Sequence, residues 1–141
     1  MNGKRFWLSV VAVFVVIHLL EYVLHQILLM DVYMATAHLW RPEADMAKNL
    51  PMIFAAQIFL SFMFCFIFTK GYENRGVSEG IRYGFLIALL MIPTNVIMYA
   101  VQPMPMSLPI IWSLWGILEG VIAGAVLAKV YRKSESCCCS C

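Results

Sequence analysis

The sequence predicts an all-α protein, an antiparallel four-helix bundle that crosses a membrane. Hydrophobic residues make up 62% of the 141-residue chain and charged residues only 13%, whereas ordinary soluble domains have about 45–50% and about 25%. Four apolar runs are each about 20 residues long, which is the length that an α-helix needs to cross the hydrocarbon core. These observations predict an integral membrane protein, with the lipid bilayer as its first partner.

The four predicted spans cover residues of about 6–30, 50–69, 81–101 and 108–128. Pro51 falls in the first turn of the second span, where a proline is tolerated. Pro93 falls in the middle of the third span, where the lost backbone hydrogen bond predicts a kink. Residues 1–133 are therefore predicted to be one membrane domain, and residues 134–141 a separate Cys-rich tail that is disordered.

The connections between the spans differ in length and charge. Residues 31–49 carry three acids and two bases and are long enough for an interfacial helix. Tyr33 and Trp40 in this segment suit the headgroup boundary, where amphipathic rings collect. Residues 70–79 form a polar, Gly-containing turn, and residues 102–107 form a tight uncharged loop with two prolines.

Lysine and arginine residues predict the orientation of the chain. Eight of them flank one side of the predicted bundle: Lys4, Arg5, Lys70, Arg75, Arg82, Lys129, Arg132 and Lys133. The opposite side has only Arg41 and Lys48. Because basic residues collect on the cytoplasmic side, we expect a multi-pass protein of the inner (cytoplasmic) membrane with both termini in the cytoplasm. The net charge of +2 is too small to indicate nucleic-acid binding.

The first span contains the ionisable residues His18, Glu21 and His25. At about 100° per residue these side chains fall within roughly 60° of one another on one stripe of the helix. Ionisable groups at membrane depth are energetically expensive, face a protein interior or a wet cavity, and mark function. This stripe is the strongest functional signal in the sequence.

Polar residues of the other spans lie at similar depths. A rise of about 1.5 Å per residue places His18 and Glu119 near the midplane of the membrane. The same rise places Glu21, Gln57, Asn95 and His25 outward of the midplane, by up to roughly 10 Å. Four helices thus contribute to one predicted site that opens toward the outside. Its ligating or protonatable residues are His18, Glu21, His25 and Glu119, with Gln57 and Asn95 as hydrogen-bond donors around them.

Small residues recur at four-residue spacing in the third and fourth spans. The fourth span has Gly116, Gly120 and Gly124, and the third span has Gly80, Gly84 and Ala88. Such spacing lets helix backbones approach closely in lipid. Because the two spans are antiparallel, we expect a close contact in which Gly84 and Ala88 meet Gly124 and Gly120. The same stripe on the fourth span could instead serve a homo-oligomer.

The predicted polar site supports two interpretations. Histidine and glutamate at these spacings can ligate a metal or handle protons, and two His with Glu residues suit zinc or iron better than calcium. Alternatively, the polar residues only form interhelical hydrogen bonds, such as His18 to Glu119 or Glu21 to Gln57. Trp112 and Trp115 lie near Glu119 on the fourth span and could line a pocket or anchor the span at the interface.

The cysteines fall into two groups. Cys65 lies alone in an apolar aromatic run and is predicted to be a packed core residue. Thiolates in the tail could bind a soft metal such as copper or zinc, could be acylated, or could have no fixed role. The tail cysteines are Cys137, Cys138, Cys139 and Cys141. The cofactor therefore stays open, with a transition metal such as zinc, iron or copper as the candidate.

No nucleotide-binding loop, nucleophile elbow or H-E-x-x-H motif occurs in the chain. An enzyme that uses Glu119 or His18 as acid or base has no motif in its favour. The sequence favours an integral membrane binding or transport-type protein whose polar site takes a metal ion, a proton or a small ligand. The alternative is a structural accessory or assembly subunit of a larger membrane complex, in which the polar residues only hydrogen-bond helices.

Several segments together carry a resemblance. They are H-x-x-L-L at the end of the first span, YMATAHLWRPE, FTKGYENRGVSEGIRYG, and WGILEGVIAG in the last span. With these segments the chain resembles small uncharacterised four-span bacterial integral membrane proteins. The likeness covers most of residues 6–131 and excludes the Cys-rich tail. It implies the four-span fold and brings no activity with it.

Overall fold

A computed structural model describes residues 3–132 and shows five α-helices in this range, with no β-strand. α1 covers Gly3–Tyr22 and continues directly into a π-helical segment, Val23–Leu28. The others are α2 (Met30–Ala35), α3 (Glu43–Lys70), α4 (Val77–Val101) and α5 (Ser107–Tyr131). A short 3₁₀ turn, Ala37–Leu39, separates α2 from α3.

Four stretches of the described chain are long and apolar enough to cross a membrane: Gly3–Leu28, Glu43–Lys70, Val77–Val101 and Ser107–Tyr131. They form a helical bundle, so the predicted four-helix membrane fold is confirmed. The end of the bundle that carries residues 3 and 132 is called the terminal end. The opposite end, which carries α2, is called the α2 end.

The start of α3 differs from the prediction. The helix begins at Glu43 instead of near residue 50, directly after Pro42. Glu43 and Asp45 lie in its first turn, where carboxylates interact favourably with the helix dipole. The predicted interfacial helix over residues 31–49 is therefore wrong as a single element, because α2, the 3₁₀ turn and the first turns of α3 share this segment. Pro93 lies inside α4, and the helix continues through it.

α1 lies at the centre of the helix arrangement, in contact with both α3 and α5. α5 packs over most of its length against α4. α3 and α4 meet toward the terminal end, where the hydroxyl of Tyr83 donates a hydrogen bond of 2.6 Å to the carbonyl oxygen of Phe64. The side chain of Arg5 donates to the carbonyl oxygen of Arg132 and joins the ends of α1 and α5.

Two separate apolar cores form, one toward each end of the bundle. The core at the terminal end consists of Phe6, Val10, Val13, Ile17, Phe64, Cys65, Phe68, Ala123, Leu127, Ala128 and Tyr131. The core at the α2 end consists of Leu24, Leu29, Met104 and Leu108, with aromatic rings of α2 and α5 packed around them. Cys65 is completely buried, as predicted. The polar residues of the spans lie between the two cores.

The bundle is least tightly packed where α3 and α4 approach the α2 end. The buried residues of α3 begin at Ser61, and those of α4 end at Ala88. Residues 43–60 and 89–101, which form the other halves of these helices, contain no buried side chain. We call this region the open side of the bundle.

The close contact between α4 and α5 is confirmed. A Cβ atom on Gly80 or Gly84 would overlap the backbone of Gly124 or Gly120, and a Cβ on Gly120 would overlap Ala88. The absence of side chains therefore lets the two backbones touch, as small residues do in membrane helix pairs. Gly116 does not take part, because a Cβ at this position would meet no atom within 4 Å.

This difference between the glycines gives a direct test of the contact. Gly84→Ala forces α4 and α5 apart, so we expect the free energy of unfolding to fall by about 1–3 kcal/mol, the usual cost of overpacking. Gly116→Ala is the matched control and is expected to leave stability unchanged or slightly higher, because alanine favours a helix by about 1 kcal/mol over glycine. Denaturant unfolding in mixed micelles measures both variants, and equal effects would contradict the contact.

Candidate functional site

His25 is the centre of the polar layer and lies in the π-helical segment that extends α1. Its Nε2 atom is 3.0 Å from Oε2 of Glu21, one turn earlier. Its Nδ1 atom is 2.6 Å from the hydroxyl oxygen of Tyr33, on α2. Short π-helical segments inside α-helices are frequent at functional sites. Here the segment places a histidine between a carboxyl group of its own span and a phenol of the next helix.

From His25 the hydrogen bonds continue to Tyr33 and then to Trp112, toward the α2 end. The indole N–H of Trp112 donates to the hydroxyl oxygen of Tyr33 over 3.1 Å. The rings of His25 and Tyr33 stack with centroids 5.7 Å apart and an interplanar angle of 13°. Trp40 packs edge-on against both Tyr33 and Trp112. The aromatic rings therefore fix Tyr33 in place above the histidine.

The hydrogen-bond partners determine the arrangement of protons that satisfies every group. Because Tyr33 accepts from Trp112, its own hydrogen is available for Nδ1 of His25. When the imidazole of His25 is neutral, this arrangement places its proton on Nε2, which donates to Glu21. The direction of donation thus runs from Trp112 through Tyr33 and His25 to the carboxyl group of Glu21.

Tyr33 lies outside the spanning helices and is held in its neutral form. Burial raises the pKa of the Tyr33 hydroxyl above its ordinary value, and the nearby Glu21 charge raises it further, while the hydrogen bond from Trp112 opposes this. A neutral hydroxyl keeps the hydrogen that it donates. Tyr33 is therefore suited to hold His25 in a fixed tautomer.

Glu119 of α5 lies at the Glu21 end of the row of hydrogen-bonded groups that begins at Trp112. Its carboxyl group lies next to that of Glu21. An ionised carboxylate only accepts hydrogen bonds, so a hydrogen bond between the two groups requires a proton on one of them. The Oε1 atom of Glu119 is buried, and no group in residues 3–132 donates to it. The pair can therefore share one proton and still has an unsatisfied acceptor.

A cavity of 330 Å³ adjoins these groups and is lined by Glu21, Leu24, His25, Asn95, Trp112 and Gly116. The side chains of Glu21 and His25 keep about a third of their surface accessible, 33% and 34%. The missing side chain of Gly116 leaves open space at this depth. Asn95 reaches the cavity from α4 and donates to the hydroxyl of Ser113 over 3.2 Å. Three spanning segments therefore line an open cavity that has both polar and apolar groups in its walls.

The structure brings together Glu21, His25, Asn95 and Glu119 but separates His18 and Gln57 from them. Nδ1 of His18 lies 3.1 Å from Oε1 of Gln57, on α3. The predicted pairing of His18 with Glu119 is therefore wrong. His18 and Glu21 are about 60° apart around α1, and since α1 lies between α3 and α5, one side chain faces each neighbour.

The predicted metal site is corrected for the described part of the chain. Within residues 3–132, no group of three or more His, Cys, Asp or Glu side chains is placed to hold a metal ion. His18 faces α3, and both ring nitrogens of His25 already bind Tyr33 and Glu21. The ligand set of His18, Glu21, His25 and Glu119 is therefore not assembled. The cysteines of the tail, Cys137, Cys138, Cys139 and Cys141, lie outside the described residues.

Two contributors to the site were not predicted. Tyr33 was assigned to the headgroup boundary, because helical periodicity does not reveal that α2 folds back over His25. Gly116 was assigned to the helix contact, because its spacing matches that of Gly120 and Gly124. The available signal was the short separation of Tyr33 from His25, with Asp31 interrupting the apolar run between them.

Comparison with known proteins gives no match: no family model, no curated protein and no solved structure is significantly similar to this chain. The function is therefore argued from the geometry of the cavity and its residues.

Removing the Tyr33 hydroxyl tests the line of hydrogen bonds. Tyr33→Phe leaves Nδ1 of His25 and the indole N–H of Trp112 without their partner, and we expect a loss of about 1–3 kcal/mol of stability. Tyr22→Phe is the matched control, because Tyr22 is 57% exposed. Unfolding in mixed micelles measures the change, and a neutral Tyr33→Phe substitution would contradict the bonding.

The raised pKa of Tyr33 also predicts a pH dependence. The unfolded chain ionises this tyrosine near its ordinary pKa of 10.0, while the folded chain keeps it protonated to higher pH. The free energy of unfolding therefore falls as the pH rises above 10. Tyr33→Phe should make this fall less steep, as measured by unfolding at a series of alkaline pH values. Burial also raises the pKa of Tyr72, and this tyrosine contributes the same pH dependence to the wild-type protein and to Tyr33→Phe. Identical slopes would refute the expectation.

Proposed function

We propose that this chain is an integral membrane binding or transport-type protein whose Glu21–His25–Glu119 site takes up a proton or a small ligand from the outer face. The proposal places it in the inner (cytoplasmic) membrane, with both termini in the cytoplasm. The distribution of lysine and arginine supports this orientation. It makes the α2 end the outer end, which is the end nearest the cavity.

The observation that carries the proposal is the unsatisfied carboxyl pair beside the cavity. A purely structural network leaves few buried acceptors without a donor, since an unmet hydrogen bond costs free energy. Here Oε1 of Glu119 is buried and receives no hydrogen bond from any described residue. Glu21 and His25 face the cavity with accessible surface. These are the properties of a site that completes its bonding with a ligand or a proton.

The accessible surface of the site gives protons access to the carboxyl pair. Glu21 and His25 both line the cavity, and Nε2 of His25 lies 3.0 Å from Oε2 of Glu21, so a proton that enters the cavity can pass between them. The carboxyl pair then holds either one shared proton or two. A change in its charge alters the affinity of the cavity for a charged ligand. Proton binding and ligand binding are thus coupled at one site.

Infrared spectroscopy of the carboxyl groups tests this function. In lipid, the wild-type protein should show a protonated carboxyl C=O band near neutral pH that titrates with pH, and Glu119→Gln should remove it because it breaks the pair. Glu43→Gln is the control, since Glu43 is exposed at the start of α3. A spectrum that is the same in wild type and Glu119→Gln would overturn the proposal.

A structural accessory subunit is the second candidate function. The open side of the bundle favours it, because residues 43–60 and 89–101 bury no side chain within this chain and could pack against a larger partner. This role predicts stable co-purification with a membrane complex. It also predicts that His25→Asn is tolerated as long as the hydrogen bonds to Glu21 and Tyr33 are kept.

A further inference from the structure

We infer that the cavity beside Gly116 binds a small monovalent organic cation with an apolar body, such as a quaternary or protonated amine, which enters from the bilayer through the open side. The inference rests on the proposed function of this cavity as a binding site and names its ligand class.

The charges that face the cavity favour a cation. Glu21 and His25 line the cavity from α1 and its π-helical extension, and α4 contributes the uncharged Asn95. Behind them, Tyr33 of α2 bonds to His25, and Glu119 of α5 lies next to Glu21. No α3 residue, lysine or arginine is among the lining residues. A carboxyl pair that shares one proton carries a single negative charge, which one positive charge on a ligand neutralises.

The walls of the cavity suit an organic ligand more than an inorganic ion. Trp112 lines the cavity, and its indole N–H is already bonded to Tyr33. Its aromatic ring is therefore the part that can contact a ligand. Electron-rich aromatic rings attract organic cations, which need charge compensation and not a coordination shell. Leu24 and the backbone at Gly116 provide apolar surface. An inorganic ion requires several converging ligand atoms, and the described residues provide no such group.

The size of the cavity limits the ligand. Its volume of 330 Å³ lies at the lower end of the roughly 300–1,000 Å³ that is usual for small-molecule sites. The space exists because Gly116 has no side chain, and a Cβ there meets nothing within 4 Å. A Cβ at this position therefore leaves the packing of α4 against α5 undisturbed, and a larger side chain is expected to occupy the cavity.

The open side provides the route into the cavity. Asn95, which lines the cavity, lies in the half of α4 that buries no residue. A ligand with an apolar body partitions into the bilayer and can reach the cavity past Asn95, on this exposed half of α4.

Two probes of the same shape separate charge from apolar contact. Benzyltrimethylammonium carries one positive charge, and neopentylbenzene is its neutral isostere. The full chain in nanodiscs of zwitterionic lipid should bind the cation at least about tenfold more tightly than the neutral compound, as measured by calorimetry and tryptophan fluorescence. Gly116→Leu should weaken binding of the cation by at least about tenfold because it fills the cavity. Leu118→Phe is the control, since it adds volume on an exposed face of α5.

Each outcome separates this inference from the proposed function. Equal binding of the two probes, or unchanged binding in Gly116→Leu, overturns the cation site. Absence of cation binding together with an intact Glu119-dependent carboxyl band overturns the ligand class and leaves the proton site standing. Absence of both binding and band overturns the proposed function as well. Cation binding that falls at low pH, where both carboxyl groups are protonated, supports the inference.

Discussion

The arrangement of this protein depends on the cost of placing carboxyl and imidazole groups inside apolar spans. A charged side chain near the bilayer centre costs about 2.5–3.5 kcal/mol on insertion scales, whereas an interhelical hydrogen bond in a membrane returns only about 0.6 kcal/mol on average. Glu21 and Glu119 therefore cannot be explained by the stability that their hydrogen bonds provide. The contact between the two carboxyl groups and the contact of Glu21 with His25 reduce the free-energy cost of burying them. The part of the cost that these contacts do not offset is consistent with a functional role.

The contact between α4 and α5 determines where Glu119 points. Gly120 packs against Gly84, and Glu119 lies about 100° around the helix from it, which turns its carboxyl group toward α1. On α4 the stripe of small residues ends at Ala88, and the next position at the same spacing is Ile92. A branched side chain cannot allow the same close approach. The helices therefore touch up to Gly120 and leave space beside Gly116.

The parts of the fold that the sequence predicts are those controlled by periodicity. The positions of the spans, the close contact between the small-residue stripes of α4 and α5, and the shared depth of Glu21, Asn95 and Glu119 all follow from helical rise and spacing. Periodicity defines the face of a helix, but it does not determine which neighbour lies against each edge of that face. His18 was therefore paired with Glu119 although it contacts Gln57.

Features that depend on short polar segments were harder to predict. α3 begins directly after Pro42, before the predicted start near residue 50, because a proline suits a helix N-terminus. The acidic residues after Pro42 suit an interfacial loop equally well, so the sequence alone does not decide between the two. The return of Tyr33 to His25 depends on a tight turn after Leu28, which no hydrophobic pattern encodes. The hydrogen-bond partners of the site were thus predictable only within the spans, and not where α2 folds over them.

The separation of the two cores explains how a cavity can exist in so small a bundle. One core holds α1, α3 and α5 together at the terminal end, and the other fixes α2 against α5 at the opposite end. The carboxyl pair lies between them, next to the open side. Regions with few buried contacts open most easily, so the proposed ligand would enter here without disrupting either core.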